Sequence, residues 1–133
     1  MIAWGAALLA APFAMTFGLA AVHAAPVPVE IRRTGDDGLT VRFADALEAG
    51  IRGSDAFAIA NANGPQHIVF QIPGHLEWRS LGDRTRISFN VEFRRNNHHL
   101  LGRSRGSCWD TELDVCVARV LRDARSIRRN ALR

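Results

Sequence analysis

Apolar residues recur along this chain with two periods, and the changes from one to the other mark out its elements. In VPVEIRR (27–33), Val27, Val29 and Ile31 alternate with Glu30 and Arg32, the period of a strand. TGDDG is a turn cluster, and Asp37 is placed to cap the next element. From Leu39 to about Arg52 the period becomes helical: Phe43, Ala44, Leu47, Gly50 and Ile51 share one arc, opposite Arg42, Asp45, Glu48 and Arg52. Only Val41 breaks that division. AFAIA (56–60) predicts a short strand, NANGPQ a turn, and HIVFQI (67–72) a β-branched strand that Pro73-Gly74 ends. HLEWRS (75–80) predicts a further strand, with Leu76 and Trp78 on one side and Glu77 and Arg79 on the other. In RTRISFNVEFRR, Ile87, Phe89, Val91 and Phe93 alternate without exception with Arg86, Ser88, Asn90, Glu92 and Arg94. That pattern belongs to an antiparallel sheet covered on one face and wet on the other. HHLLGRSRG returns the chain after an Asn96-Asn97 turn. A last helix is predicted from Thr111 to about Arg129 with Asp110 as its N-cap. Leu113, Cys116, Val117, Val120, Leu121, Ala124 and Ile127 lie on one arc, and Arg119, Arg122, Arg125 and Arg129 oppose it.

The order β-α-β-β-(β)-β-β-α, with one apolar face on each helix and on the sheet, predicts an α+β two-layer sandwich. Its sheet is expected to be mostly antiparallel, with four to six strands and both helices on one face. No repeat or low-complexity segment interrupts it.

The first 22 residues hold no charged side chain, and HAAPVPVE then brings polarity and proline together. Such a run reads as a signal peptide (1–24) cut after Ala24; it is also long enough to remain as an uncleaved anchor. Either way the rest is expected to be periplasmic or secreted. Removing 24 of 133 residues leaves 109, a single α+β domain over 25–133. All 17 basic residues are Arg, and the net charge is +4. A GC-rich coding bias produces the same excess, and no reading motif accompanies it. Nucleic acid is therefore not the expected partner. Membrane contact is expected only through an uncleaved leader, although the basic tail ARSIRRNALR could touch anionic lipid. No small-molecule cofactor is expected.

The two cysteines, Cys108 and Cys116, stand as Cys-x7-Cys. Zinc needs about four ligands at short paired spacings, and a redox pair needs Cys-x-x-Cys at a helix start; neither is present. Two cysteines in an exported chain pair by default, so a disulfide is expected between the last strand and the last helix.

Ile51, Arg52, Ser54, Phe57 and Ile59 form a helix ending I-R-x-S-x-x-F-x-I, followed by meandering strands and a closing helix. In this the chain resembles small α/β domains of bacterial envelope proteins, such as the amino-terminal domain of TolB and the curli-secretion lipoprotein CsgG. Gly106, Cys108 and Cys116 are similar to the Gly-x-Cys and helical cysteine of small uncharacterised exported proteins. The resemblance implies a non-catalytic binding or envelope accessory role, with an envelope protein as partner, and carries over no catalytic residue.

Chemistry has few candidate sites. Glu92 and Arg94 with His98 or His99 would supply the base, phosphate clamp and acid of a metal-independent ribonuclease, the alternative reading. His67, His75, His98 and His99 could converge on copper or zinc. Against these stand the plain expectations that wet-face charges and tip histidines are solvated, that Trp78 and Trp109 pack in the core or at its rim, and that Asp36-Asp37 is turn and cap rather than a calcium loop.

Overall fold

A computed structural model describes residues 25–60, 67–95 and 99–131. The leader over 1–24, the NANGPQ turn, Asn96, Asn97, His98 and the last two residues lie outside the described residues. The elements are β1 (Val27–Arg33), α1 (Gly38–Arg52), β2 (Phe57–Ile59), β3 (Ile68–Ile72), β4 (Glu77–Leu81), β5 (Arg84–Arg95), β6 (His99–Trp109) and α2 (Leu113–Ala131). Six strands form one mixed sheet, and the two helices pack into one hydrophobic core with it, the α+β sandwich expected.

β1 lies between β2 and β3 and is parallel to both. The stagger makes this possible: Val29 pairs with Ile59, where β2 ends, and with Ile68, where β3 begins. β2 therefore ends, and β3 begins, at the same level on opposite sides of β1. β5 is the spine. β6 pairs along it from Arg86 to Arg95, while β3 takes Glu92–Arg95 and β4 takes Arg84–Ser88. Because β6 occupies one edge over that span, β3 and β4 share the other edge end to end, separated by the break at Pro73–Leu76.

The perfect alternation of β5 is realised as a face. Ile87, Phe89, Val91 and Phe93 are buried, and their neighbours point to the opposite side. Rings link helix to sheet and strand to strand: Phe43 of α1 stacks on Phe89 at 5.6 Å, and within the sheet Phe70 meets Phe93 edge-on at 4.8 Å. Each such side chain contributes roughly 1.5–3 kcal/mol by leaving water.

β6 meets α2 through small residues. Gly102, Ser104, Gly106 and Cys108 occupy the positions opposite Phe93, Val91, Phe89 and Ile87, and so point toward the helices. Ile127 lies over Gly102, Arg119 over Gly106, the Ser104 hydroxyl donates to Asp123 Oδ2 at 2.7 Å, and Cys108 is bonded to Cys116. Two strand residues advance about 6.7 Å and the three or four helical residues between successive partners about 4.5–6 Å, so the two series stay nearly in step. α1 and α2 also touch closely, since a Cβ on Gly50 would stand 2.5 Å from Val117 Cγ1.

The start of the last helix departs from expectation. α2 begins at Leu113, so Glu112, not Asp110, precedes its first residue. Glu112 donates its N–H to the Trp109 carbonyl, closing a turn in which Asp110 and Thr111 are the central residues. The chain must reverse from strand to helix within the loop that the disulfide closes, and that reversal uses the two residues expected at the helix start. The Cα atoms of Cys108 and Cys116 are 5.7 Å apart, within the span a disulfide needs.

Gly106→Val is expected to cost about 1–3 kcal/mol, because a Cβ there already lies 3.0 Å from the buried Phe89 ring. Gly38→Ala, whose Cβ meets nothing within 4 Å, is expected to be neutral or slightly stabilising. Reducing the disulfide should remove about 2–3 kcal/mol. Urea titrations of both variants, and of the oxidised and reduced protein, check these outcomes.

Candidate functional site

Both helices lie on one side, and no described helix covers the other, open side of the sheet. Its residues come from alternate positions of the strands: Glu30 and Arg32, Val69 and Gln71, Glu77 and Arg79, Arg84 through Arg94, and Arg103 through Trp109. The register lines them up in rows. One row reads Glu30, Val69, Arg94; the next reads Arg32, Gln71, Glu92, Arg103. Arg32 donates to both Glu30 oxygens, at 2.8 and 3.1 Å, and His67 lies 2.6 Å from the same carboxylate. The Arg32 guanidinium first, and His67 after it, hold the Glu30 carboxyl below its ordinary pKa against the upward push of partial burial. Arg94 forks onto Glu92: its Nε donates to Oε2 at 2.9 Å, and its Nη2 donates to the same oxygen. Arg32, Gln71, Glu92 and Arg94 border a shallow groove of about 410 Å³.

From Glu92 back to Arg84 the open side of β5 carries no further carboxylate, and Glu77 of β4, opposite Ser88, is the one acidic residue among the described strand residues there. Arg84 stacks on Trp109 with its guanidinium carbon 3.8 Å from the ring centroid, and Arg86 follows at 5.0 Å while donating to Ser107 Oγ. Arg79 stands directly across from Arg86, and Arg105 directly across from Asn90. Among the described residues no carboxylate forms an ion pair with Arg79, Arg84, Arg86, Arg103 or Arg105. The buried Asn90 Oδ1 likewise has no donor among them. Asn90 and Arg105 border a second groove, of about 370 Å³.

At the end of the sheet the break between β3 and β4 is tied to the start of α1. Gly74 N–H donates to Thr34 Oγ1 at 2.6 Å, and Leu76 N–H donates to Thr40 Oγ1 at 3.1 Å. Asp37 caps α1 by accepting from Thr40 N–H, as expected, and its other oxygen is 2.5 Å from His75 Nδ1. The Thr40 contact first, and His75 second, lower the Asp37 pKa to about 2. Asp37 in turn raises that of His75. Gly35 is required at this joint, because a Cβ would stand 2.9 Å from the Gly74 carbonyl and from the His75 ring.

The expected ribonuclease set is brought together only in part. Glu92 and Arg94 are adjacent on the open face, but they are bonded to each other. His99 pairs with Arg95, one step out of phase with Arg94, and so belongs to the opposite face; His98 lies outside the described residues. Among the described residues the histidines do not gather at one point. His67 is bound to Glu30 at the start of β3 and His75 to Asp37 beyond its end, and no group of three metal-binding side chains exists among the described residues. Trp78, expected in the core or at its rim, is 65% exposed on β4. Trp109 is a half-buried platform for two arginines. The arginines of the open face were missed, although Arg84/Arg86 and Arg103/Arg105 are i, i+2 pairs in strands, which places each pair on one face. No helix among the described residues is long and apolar enough to cross a membrane. The sequence matches no family model, and no curated protein matches it.

The joint at His75 generates a pH prediction. Raised in the fold, the His75 contribution is complete below its ordinary value of 6.5 and fades as pH rises through the folded value. Lowered in the fold, the Asp37 contribution is complete above 3.8 and is lost as pH falls toward 2. His75→Ala should therefore lower Tm most between those limits, near pH 5, and least in alkaline solution. Thermal melts of both proteins across pH check this.

Proposed function

We propose that this protein is an exported, non-catalytic binding module whose open sheet face takes an acidic segment of an envelope protein. The observation that carries the reading is the set of guanidiniums at Arg84, Arg86, Arg103 and Arg105, none ion-paired with a carboxylate among the described residues. A partner carboxylate would receive forked hydrogen bonds there and relieve the repulsion between neighbouring cations. Trp109 already carries a guanidinium on its ring, so arginines are held in place before the partner arrives.

A hydrolytic role has less behind it. A general acid within reach of Glu92 and Arg94 is needed; His99 belongs to the other face, and His98 lies outside the described residues. The periplasmic or secreted location belongs to the same proposal and rests on the uncharged leader.

Fluorescence anisotropy with labelled poly-glutamate tests the binding reading. Affinity should fall with added salt. Arg103→Ser/Arg105→Ser should weaken it at least tenfold, while Arg122→Ser/Arg129→Ser, which removes the same charge from the exposed side of α2, should leave it nearly unchanged. Equal losses in the two variants would mean that net charge alone is being measured. Cleavage of RNA by the purified protein, abolished by Glu92→Gln, would replace the binding reading with the hydrolytic one.

A further inference from the structure

We propose that the free edge of β4 is a seam through which two copies of this chain pair antiparallel, centred on Trp78. All five residues of β4 are exposed, Trp78 by 65% and Leu81 by 48%, and among the described residues the strand pairs only with β5. An exposed edge carrying large apolar side chains is an open template for another strand.

The orientation of the backbone follows from a bond on the far side of β5. Thr85 accepts, through its carbonyl, the N–H of Asp110, so its polar groups face away from β4. Its partner across the ladder, Ser80, is then in a pair that does not exchange hydrogen bonds. The alternation makes Trp78 another such residue. Ser80 and Trp78 therefore present their N–H and C=O groups to the free edge. Leu76 closes the series, because its N–H is already given to Thr40 Oγ1.

The side chains select the register. Glu77 and Arg79 flank Trp78 and share the open face, opposite Ser88 and Arg86 respectively. Neither forms an ion pair among the described residues. When Trp78 faces Trp78 of a second copy, Glu77 faces Arg79 of that copy and Arg79 faces its Glu77. The arrangement is its own complement, as an interface with twofold symmetry requires. It also brings a carboxylate to Arg79, which otherwise stands across from a like charge on Arg86. The long edge of β6 lacks this property. Antiparallel pairing of two β6 strands about Ser104 sets Arg103 against Arg105 on both sides, a like-charge clash that protects that edge.

Pairing about Trp78 puts like faces on the same side. The two sheets become continuous, the helices lie together on one side, and the two open faces lie together on the other. An acidic partner with two segments would then be held at two points, with the gain that linkage gives. The seam itself stands on β4 alone and not on what the open face binds.

Sedimentation velocity from low micromolar to several hundred micromolar protein tests the seam, with circular dichroism to show that each variant is folded. The wild type should pass from monomer to dimer. Glu77→Arg and Arg79→Glu should each raise the dissociation constant at least tenfold, since each sets like charges opposite one another. An equimolar mixture of the two variants should dimerise again, because arginines at 77 and 79 in one chain meet glutamates at 79 and 77 in the other. The double variant Glu77→Arg/Arg79→Glu should also recover. A wild type that stays monomeric overturns the proposal. So do single variants that associate as the wild type does, or a mixture and double variant that fail to recover.

Discussion

The close approach of α2 to β6 is the contact on which the rest of the structure depends. It requires four small residues at alternate strand positions, Gly102, Ser104, Gly106 and Cys108, and a helix whose turns advance nearly in step with them. A larger residue anywhere in that series would lift the helix from the sheet and open the core over Phe89 and Val91. The disulfide fixes one end of the contact and the Ser104–Asp123 hydrogen bond fixes its middle. Once α2 is seated, the place of α1 is set as well, because Gly50 lets it press against Val117. Both helices then share one side of the sheet, and the other side is left to water or to a partner.

Most of this architecture was legible in the sequence, because period reports burial directly. The alternation in β5 marked a one-sided strand, and the arcs of Phe43–Ile51 and Leu113–Ile127 marked the helical faces that cover it. The Cys-x7-Cys spacing, taken with an apolar leader, marked the disulfide. Sheet order was not legible. Nothing in AFAIA states that it joins β1 in parallel, since three residues carry no pairing code; the stagger at Val29 does so only in three dimensions. The start of α2 was misplaced for a related reason. Asp110 has the chemistry of a cap, but the short disulfide loop needs it in a turn.

The site was less legible than the fold. Glu92 and Arg94 were correctly placed on the wet face, yet their mutual bond, which occupies both, depends on rotamers. His99 was grouped with them because it is near in sequence. The pairing of Arg95 with His99, beside a bulge where Leu101 is unmatched in the ladder, sends it to the other face. The arginine pairs at 84/86 and 103/105 were visible as i, i+2 repeats, but a composition in which every basic residue is Arg concealed their meaning. Their significance comes from what is missing round them in space, and sequence does not show which carboxylates are out of reach.

A wet sheet face normally settles its charges internally, and half of this one does so: Glu30 with Arg32 and His67, Glu92 with Arg94. These pairs flank Val69, a buried apolar residue on the open side. Beyond Glu92 the same sheet carries cations that form no ion pair among the described residues, one of them set across from another at Arg79 and Arg86. Coding bias explains why a basic residue is Arg and not Lys. It does not explain why arginines recur at alternate positions of adjacent strands while, apart from Glu77 on β4, acidic residues of the chain sit elsewhere, at Asp45, Glu48, Asp55 and Asp114. Like charges opposed across a ladder destabilise it. A fold that keeps them needs compensation, here from Trp109 beneath two guanidiniums and from the tightly packed layer on the far side of the sheet. The strain is modest while the face is wet and is relieved when an anion covers it. That asymmetry is why the bare half of the sheet, and not the internally paired half, is the one proposed as the contact face.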